Sequence, residues 1–448
     1  MISKYFPLAS VLVVTLLLLS SCLNSSTDNV EYSPDAQIYA VTLASKSDTA
    51  GLLTATRFTI DQINGRIFNK EPLPYLFKVD SVMLTLRSVN SYNPFTQVIL
   101  TLDSDSSYLW QVYDSVAINR LTRITTTAPD GVTRKEYHFE LNIYQEDPYI
   151  INWQMLDSDY LPAAPQSQKT VQLNNHLFTY YKRGDSVEAV MTEAGNNLAW
   201  SPLNLTGLPP STDLTTLTVA GEGIYALDPA VHTLYHSSDG INWNVVSSTH
   251  TVLAIYGTLP AADGGRLLLA VEQDNRIRFA ETSDFTEVVM MNDLPAMFPL
   301  SGFSATQVDD PASYSIKYLL LTGGTTADHA ISNEIWILQK DNEQISLIHA
   351  SVPASLNLQG SRLFYYDSKP YLMVLTSEGN RLYISDNFGL EWKQTGENQS
   401  FPQEFRVRSN ASVFTDSENY IWIFGGISSE QAQITDAWRG RLNKFTGM

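Results

Sequence analysis

Short stretches of alternating apolar and polar residues recur along most of the chain. They include Ile38-Tyr39-Ala40-Val41-Thr42-Leu43, Val82-Met83-Leu84-Thr85-Leu86, Val98-Ile99-Leu100-Thr101-Leu102 and Tyr137-His138-Phe139-Glu140-Leu141-Asn142-Ile143-Tyr144. A period of two puts alternate side chains on opposite faces of a strand, so each stretch predicts a strand with one buried face. Turn chemistry separates them. Asn64-Gly65 stands between apolar flanks in Ile60–Ile67, and Pro129-Asp130-Gly131 precedes the Tyr137 strand. Proline presets φ and glycine accepts a positive φ, which is what tight reversals require. No stretch shows a convincing helical period. The pattern predicts an all-β chain. Its first part, residues 30–158, carries about seven short strands and is expected to form an immunoglobulin-like β-sandwich without the Cys–Trp–Cys core of antibody domains. Residues 159–169, with two prolines and no periodicity, read as a linker.

From residue 170 to 448 the pattern repeats. In one kind of repeat an apolar strand ends in Gly323-Gly324, and Trp336 follows twelve residues after the second glycine. Gly425-Gly426 and Trp438 reproduce that spacing 102 residues later, two periods of about 50. These copies resemble the kelch motif, in which glycines turn the chain and the Trp packs between neighbouring sheets. A second kind resembles the Asp-box hairpin. One copy carries Ser237, Asp239, Gly240 and Trp243, and the other Ser385, Asn387, Gly389 and Trp392. The first is one residue short between Asp239 and Gly240, and the second has Asn387 where Asp is usual. Ser283-Asp284-Phe285 is a fainter third copy. Placed on one ladder, with Trp200 and Val288 filling the gaps, the motifs predict sheets over 170–208, 214–250, 252–295, 302–350, 359–398 and 405–445. The expected architecture is a six-bladed β-propeller. Counts of five or seven, and a stack of separate sandwiches, stay open. A closed ring removes long exposed sheet edges, which favours the propeller.

The leader changes the setting. Lys4, the apolar run Val11–Leu19 and Leu19-Ser20-Ser21-Cys22 read as a signal peptide over residues 1–21 with a bacterial lipobox. Cys22 is the only cysteine in the chain. Lipid on its sulfur would anchor the mature protein through the polar tether 22–29, and it leaves no thiol for a disulfide or a thiolate metal site. The expected location is the bacterial cell envelope, at the outer membrane, with the side it faces left open. With lipobox, Phe58–Asn69, Asp130–Tyr137 and the propeller motifs taken together, the chain resembles a lipoprotein family of the Bacteroidales that pairs an Ig-like domain of unknown function with a kelch-like or Asp-box propeller. That resemblance implies fold and location, and it brings no activity and no functional residues.

Composition narrows the chemistry. A net charge of −19 argues against nucleic acid as a partner, because such binding rests on cations neutralising phosphates. Asp boxes raise sialidase chemistry, yet no arginine occurs between Arg134 and Arg183, where the first of its three carboxylate-binding arginines is expected. Arg276 with Arg278, and Arg406 with Arg408, share strand faces and are expected to pair with surface acids. His232 and His236 would share a strand face, without a third metal ligand. Asp103 and Asp105 only weakly resemble a calcium loop. Tyr180, Tyr181, Tyr365 and Tyr366 are candidate sugar-stacking rings, with packing between sheets as the competing reading. No cofactor and no catalytic residues are assigned. The expected partners are membrane lipid through Cys22 and a glycan or envelope protein, bound without catalysis. The alternatives are a glycan-active enzyme and a structural envelope component.

Overall fold

A computed structural model describes residues 31–79, 81–89, 95–162, 164–260, 265–310 and 317–446. The leader and Cys22 lie outside them. The chain divides into two compact units, Met1–Asp147 and Pro148–Met448.

Within the first unit, a three-stranded sheet (Ala40–Ala44, Val82–Arg87, Ser115–Val116) and a six-stranded sheet share one core. Val41, Leu43 and Leu84 from the smaller sheet meet Ile67, Leu100, Ile124, Tyr137 and Phe139 from the larger. The expected alternation holds in Arg134–Glu140, where Tyr137 and Phe139 are buried and their neighbours are not. Phe58–Asp61 and Arg66–Asn69 form the hairpin expected at Asn64-Gly65. Gly65 has φ +61°, and a Cβ there would stand 2.7 Å from the Glu136 carbonyl oxygen. One pairing is parallel, Arg66–Phe68 with His138–Glu140. The only α-helix described is the single turn Leu52–Ala55.

Among its described residues, the second unit holds six four-stranded antiparallel sheets. Sheets I to V are consecutive in the chain, over residues 167–203, 213–245, 251–293, 304–349 and 362–394. Each begins with its innermost strand: Ser167–Leu173, Asp213–Ala220, Thr251–Leu259, Ser304–Asp309 and Arg362–Tyr366. Sheet VI begins with Ser412–Thr415 and continues through Ile421–Phe424 and Ala437–Leu442. Each first strand lies beside the next, and that of sheet VI lies beside that of sheet I, so the inner strands close on themselves. Apolar clusters fill the spaces between successive sheets. Trp243 packs between sheets I and II, Trp336 between III and IV, Trp392 between IV and V, and Trp438 between V and VI.

Three expectations need correction. The fourth strand of sheet VI is Ile151–Asp157, which pairs with Ala437–Leu442. That segment was expected in the first domain, whose boundary therefore lies at 147/148 and not at 158. The supposed linker 159–169 is packed as well. Tyr160 and Leu161 are buried between sheets VI and I, and Ser167 already starts sheet I. The physical reason is ring closure: a strand from the start of the unit completes the last sheet, covering an edge that would otherwise stand open. Nor do the tryptophans form one ladder. Trp336 and Trp438 sit in the third strand of their sheets, paired with Leu321 and Ile423. Trp243 and Trp392 sit just before the fourth strand.

Candidate functional site

The inner strands of all six sheets enclose a cavity of about 350 Å³. Its lining is largely uncharged and includes Thr215, Thr218, Ala254, Tyr256, Thr306 and Leu319. Among the described residues the two charged ones that line it are both cations, Lys169 on sheet I and Arg362 on sheet V.

Hydrogen bonds between sheets fix the level of these cations. Ser304, the first residue of its strand, accepts the Leu363 N–H of the next sheet at 3.0 Å. Ser412, in the same position of sheet VI, accepts the Thr170 N–H of sheet I at 2.9 Å. Thr170 and Leu363 are therefore equivalent, and so are Lys169 and Arg362 immediately before them. Arg362 is buried and makes neutral bonds only. Its Nε donates to the Ala411 carbonyl at 2.7 Å, Nη1 to Ser361 O at 2.9 Å and Nη2 to Asn410 Oδ1 at 3.0 Å. Burial lowers its pKa to about 10. Lys169 has no hydrogen bond or ion pair within the described residues. Enclosure in the ring brings its pKa down to about 7, the Arg362 charge adds to that, and Asp213 opposes it.

The motif residues found from sequence build the frame instead. Asp239 accepts the Ser237 hydroxyl (3.0 Å), the N–H groups of Ile241 and Asn242 (each 2.8 Å) and the Asn242 amide (2.7 Å). Burial would raise its pKa, but these donors hold it well below the usual carboxylate range. Asn387 repeats the arrangement with a neutral oxygen that accepts from Ser385 Oγ and Glu391 N, while Trp392 Nε1 donates to Gly389 O at 2.9 Å. Gly240 and Gly389 have positive φ, 73° and 103°. In the segment read as a fainter third copy, Thr282 and not Ser283 supplies the hydroxyl: its Oγ1 accepts the Phe285 N–H, and Asp284 accepts the Thr286 N–H. The two Gly-Gly turns match each other in their bonds. Gly323 N donates to Glu334 O and Gly425 N to Asp436 O, and Gly324 and Gly426 accept from Ser332 and Ile434. A Cβ on Gly324 would lie 2.7 Å from Ser301 O, and one on Gly426 would lie 2.8 Å from Ser409 O. None of these motif residues lines the cavity.

The other candidates resolve differently from one another. Arg276 and Arg278 pair with Asp293 at the surface, as expected. Arg408 does not: it is fully buried against Asp436, and Arg406 reaches the same carboxylate at 3.1 Å. His232 is no strand residue; it has φ 50° and precedes the strand Thr233–Ser237 that carries His236. No group of metal-ligating side chains occurs among the described residues. Asp103 and Asp105 pair with Arg120 and Arg123. Tyr180, Tyr181 and Tyr366 are buried, with hydroxyls on Gly240 O, Glu188 and Asn419 O, and present no open ring face. Sequence reasoning missed Lys169 and Arg362. The available signal was their register at the start of apolar strands, which only the sheet pairing reveals.

The family models agree with a propeller in the second unit. The model of the DUF6242 beta propeller domain matches residues 147–447, and that of the DUF6242 N-terminal domain, a domain of unknown function, matches residues 27–141. No curated protein matches the chain. Among solved structures, YjhT is similar at 11% identity and TM-score 0.44, over 63% of this chain and 96% of that one. An inactive virginiamycin B lyase from Staphylococcus aureus with quinupristin matches at 9% identity and TM-score 0.38, over 79% and 97%. A protein of unknown function from Bacteroides thetaiotaomicron matches at 13% identity and TM-score 0.39, over 92% and 100%. The chain belongs to the DUF6242 family, its N-terminal domain followed by the family's beta propeller domain.

Proposed function

We propose that this protein is a lipid-anchored binding module of the bacterial envelope, which takes a ligand, a glycan or part of an envelope protein, into the centre of a six-bladed propeller. The observation that carries the reading is the cavity of about 350 Å³ walled by the inner strands of all six sheets. That is the size of a small-molecule site, concave and set into a rigid frame. Among the described residues no Asp, Glu or His lines it. The paired carboxylates of a glycosidase are therefore not assembled there, and binding is favoured over glycan cleavage. The first domain, read as an Ig-like sandwich, serves as a spacer. Lipid on Cys22 supplies the attachment at the outer membrane, in the manner of Bacteroidales lipoproteins. No helix among the described residues is long and apolar enough to cross a membrane.

Two experiments test this. A glycan array and a capture from native envelope are run with the full chain and with Thr306→Trp, which fills the cavity from its wall. A ligand held by the wild type and lost in the variant supports the reading; retention in the variant moves binding elsewhere. Metabolic labelling with a fatty-acid analogue tests the anchor: the label is expected on the wild type and absent from Cys22→Ser.

A further inference from the structure

One position recurs at the start of the inner strands, and its occupants are Lys169 in sheet I, Ser304 in IV, Arg362 in V and Ser412 in VI. Three of the four tie their sheet to the next. Ser304 accepts from Leu363, Arg362 donates to Ala411 and Asn410, and Ser412 accepts from Thr170. Lys169 alone makes no such tie: its ammonium is unpartnered among the described residues and lines the cavity. Arg362 stands at the same level, two sheets away across Ser412, and lines the cavity too. Its three hydrogen bonds end on neutral oxygens, so neither positive charge has a counter-ion in hydrogen-bonding contact. The chain carries 47 acidic and 28 basic residues, yet among the described residues no acid lines this cavity. An enclosed charge without a partner is costly, and a site that keeps two of the same sign is built for the opposite sign.

We propose that the central cavity binds a small ligand through an oxyanion, a carboxylate or a phosphate, held between Lys169 and Arg362. The inference rests on the reading of the cavity as a binding site. Lys169 supplies the mobile ammonium, and the guanidinium of Arg362, fixed by its ties to sheet VI, supplies oriented donors. The uncharged wall of Thr215, Thr218, Ala254, Tyr256 and Thr306 receives the remainder of the ligand. Asp213, whose charge acts on Lys169 without bonding to it, limits how negative that ligand can be. Depressed proton affinity at Lys169 fits the same picture, since an arriving anion would restore it.

The test is isothermal titration of the full chain with inorganic phosphate, glucuronate and glucose at matched ionic strength. At least one anion is expected to bind one-to-one, with glucose giving no heat. Lys169→Met is expected to weaken binding at least tenfold, and Lys169→Arg to retain it. Above pH 7 the wild type is expected to take up a proton on binding, so its measured heat varies with the ionisation heat of the buffer; a fold-only role for Lys169 would not produce this. Arg362→Met is read only alongside native tryptophan fluorescence, and Lys169→Met serves if that variant fails to fold. Glucuronate alone assigns a sugar acid and phosphate alone a phosphorylated ligand, and each supports the inference. Equal anion binding by wild type and Lys169→Met overturns it. A neutral ligand lost in Thr306→Trp, with no anion bound, overturns it and leaves the binding-module reading standing. Failure of both anions, glucose, the glycan array and envelope capture removes both.

Discussion

Asp436 offers the sharpest test of what stabilises sheet VI. Its carboxylate is 1% exposed and accepts from both terminal nitrogens of the fully buried Arg408, and from Nε of Arg406 at 3.1 Å. Arg408 has further support: Nε donates to Arg406 O at 2.8 Å, Nη1 donates to Gly425 O at 3.0 Å, and the guanidinium lies 4.1 Å from the Phe405 ring centroid. Asp436→Asn keeps the shape and removes the charge. Breaking a buried pair from one side costs about 3–5 kcal/mol, because the partner is left charged without compensation. The remaining carbonyls and the ring take part of that load, so the low end, about 3 kcal/mol, is expected. Arg406 adds little, since its side chain is half exposed. Replacing both members, as in Asp436→Leu with Arg408→Met, leaves no stranded charge and is expected to cost about 1 kcal/mol or less. Equilibrium urea unfolding followed by tryptophan fluorescence reports the propeller, because seven of the eight tryptophans lie beyond residue 147. At roughly 2–4 °C per kcal/mol for large domains, the single variant should melt about 6–12 °C lower. A loss below about 1 kcal/mol in Asp436→Asn, or a double variant as unstable as the single one, would refute the reasoning.

Three other outcomes follow from the same structure. Between about pH 7 and pH 10.5 the unfolded chain holds a proton on Lys169 that the folded chain has released, so stability should rise with pH across that window, by a few kcal/mol at most. Lys169→Met should flatten that rise in urea titrations; parallel curves for the two proteins would contradict the assignment. Gly324→Ala should cost at least about 1–2 kcal/mol, since φ is +92° and the new Cβ would sit 2.7 Å from Ser301 O; a neutral effect on the urea midpoint would show that the turn gives way. A fragment of residues 148–448 should keep a cooperative transition, whereas 159–448 should lose it or aggregate, because Ala437–Leu442 would become an open edge; equal behaviour of the two fragments would count against strand Ile151–Asp157 as the closing element.

Local chemistry was legible in the sequence, and long-range pairing was not. The Gly-Gly turns and the turn caps at Asp239 and Asn387 depend on bonds within a few residues, such as Ser237 to Asp239, so their spacing carried them. Sheet limits for I to V came out close for the same reason. Ile151–Asp157 has no local mark of its partner, which lies at the other end of the unit, and its alternation fitted the first domain equally well. Arg406 and Arg408 were expected to share a strand face, but they lie outside any strand, and nothing in a two-residue spacing says that one is half exposed and the other fully buried. His232 looked like a strand residue because the turn before Thr233 has no glycine and is made with a left-handed histidine instead.

The distribution of the two kinds of residue has a physical logic. In a closed ring of like sheets, positions that recur are those every sheet needs: a glycine where backbones approach, a Trp between sheets, a carboxylate or amide to cap a turn. Such residues are consumed by closing the ring, and here they stand away from the cavity lining. Specificity for a ligand must then come from positions where equivalent residues differ. At this inner position Ser304, Arg362 and Ser412 join sheets IV, V and VI each to the next, and among the described residues Lys169 makes no such tie. A residue relieved of the repeated task, charged, enclosed and facing the shared cavity, is where a ring of near-identical parts becomes particular. Lys169 is therefore the residue whose substitution should separate binding from folding, because its side chain makes no inter-sheet tie that folding would lose.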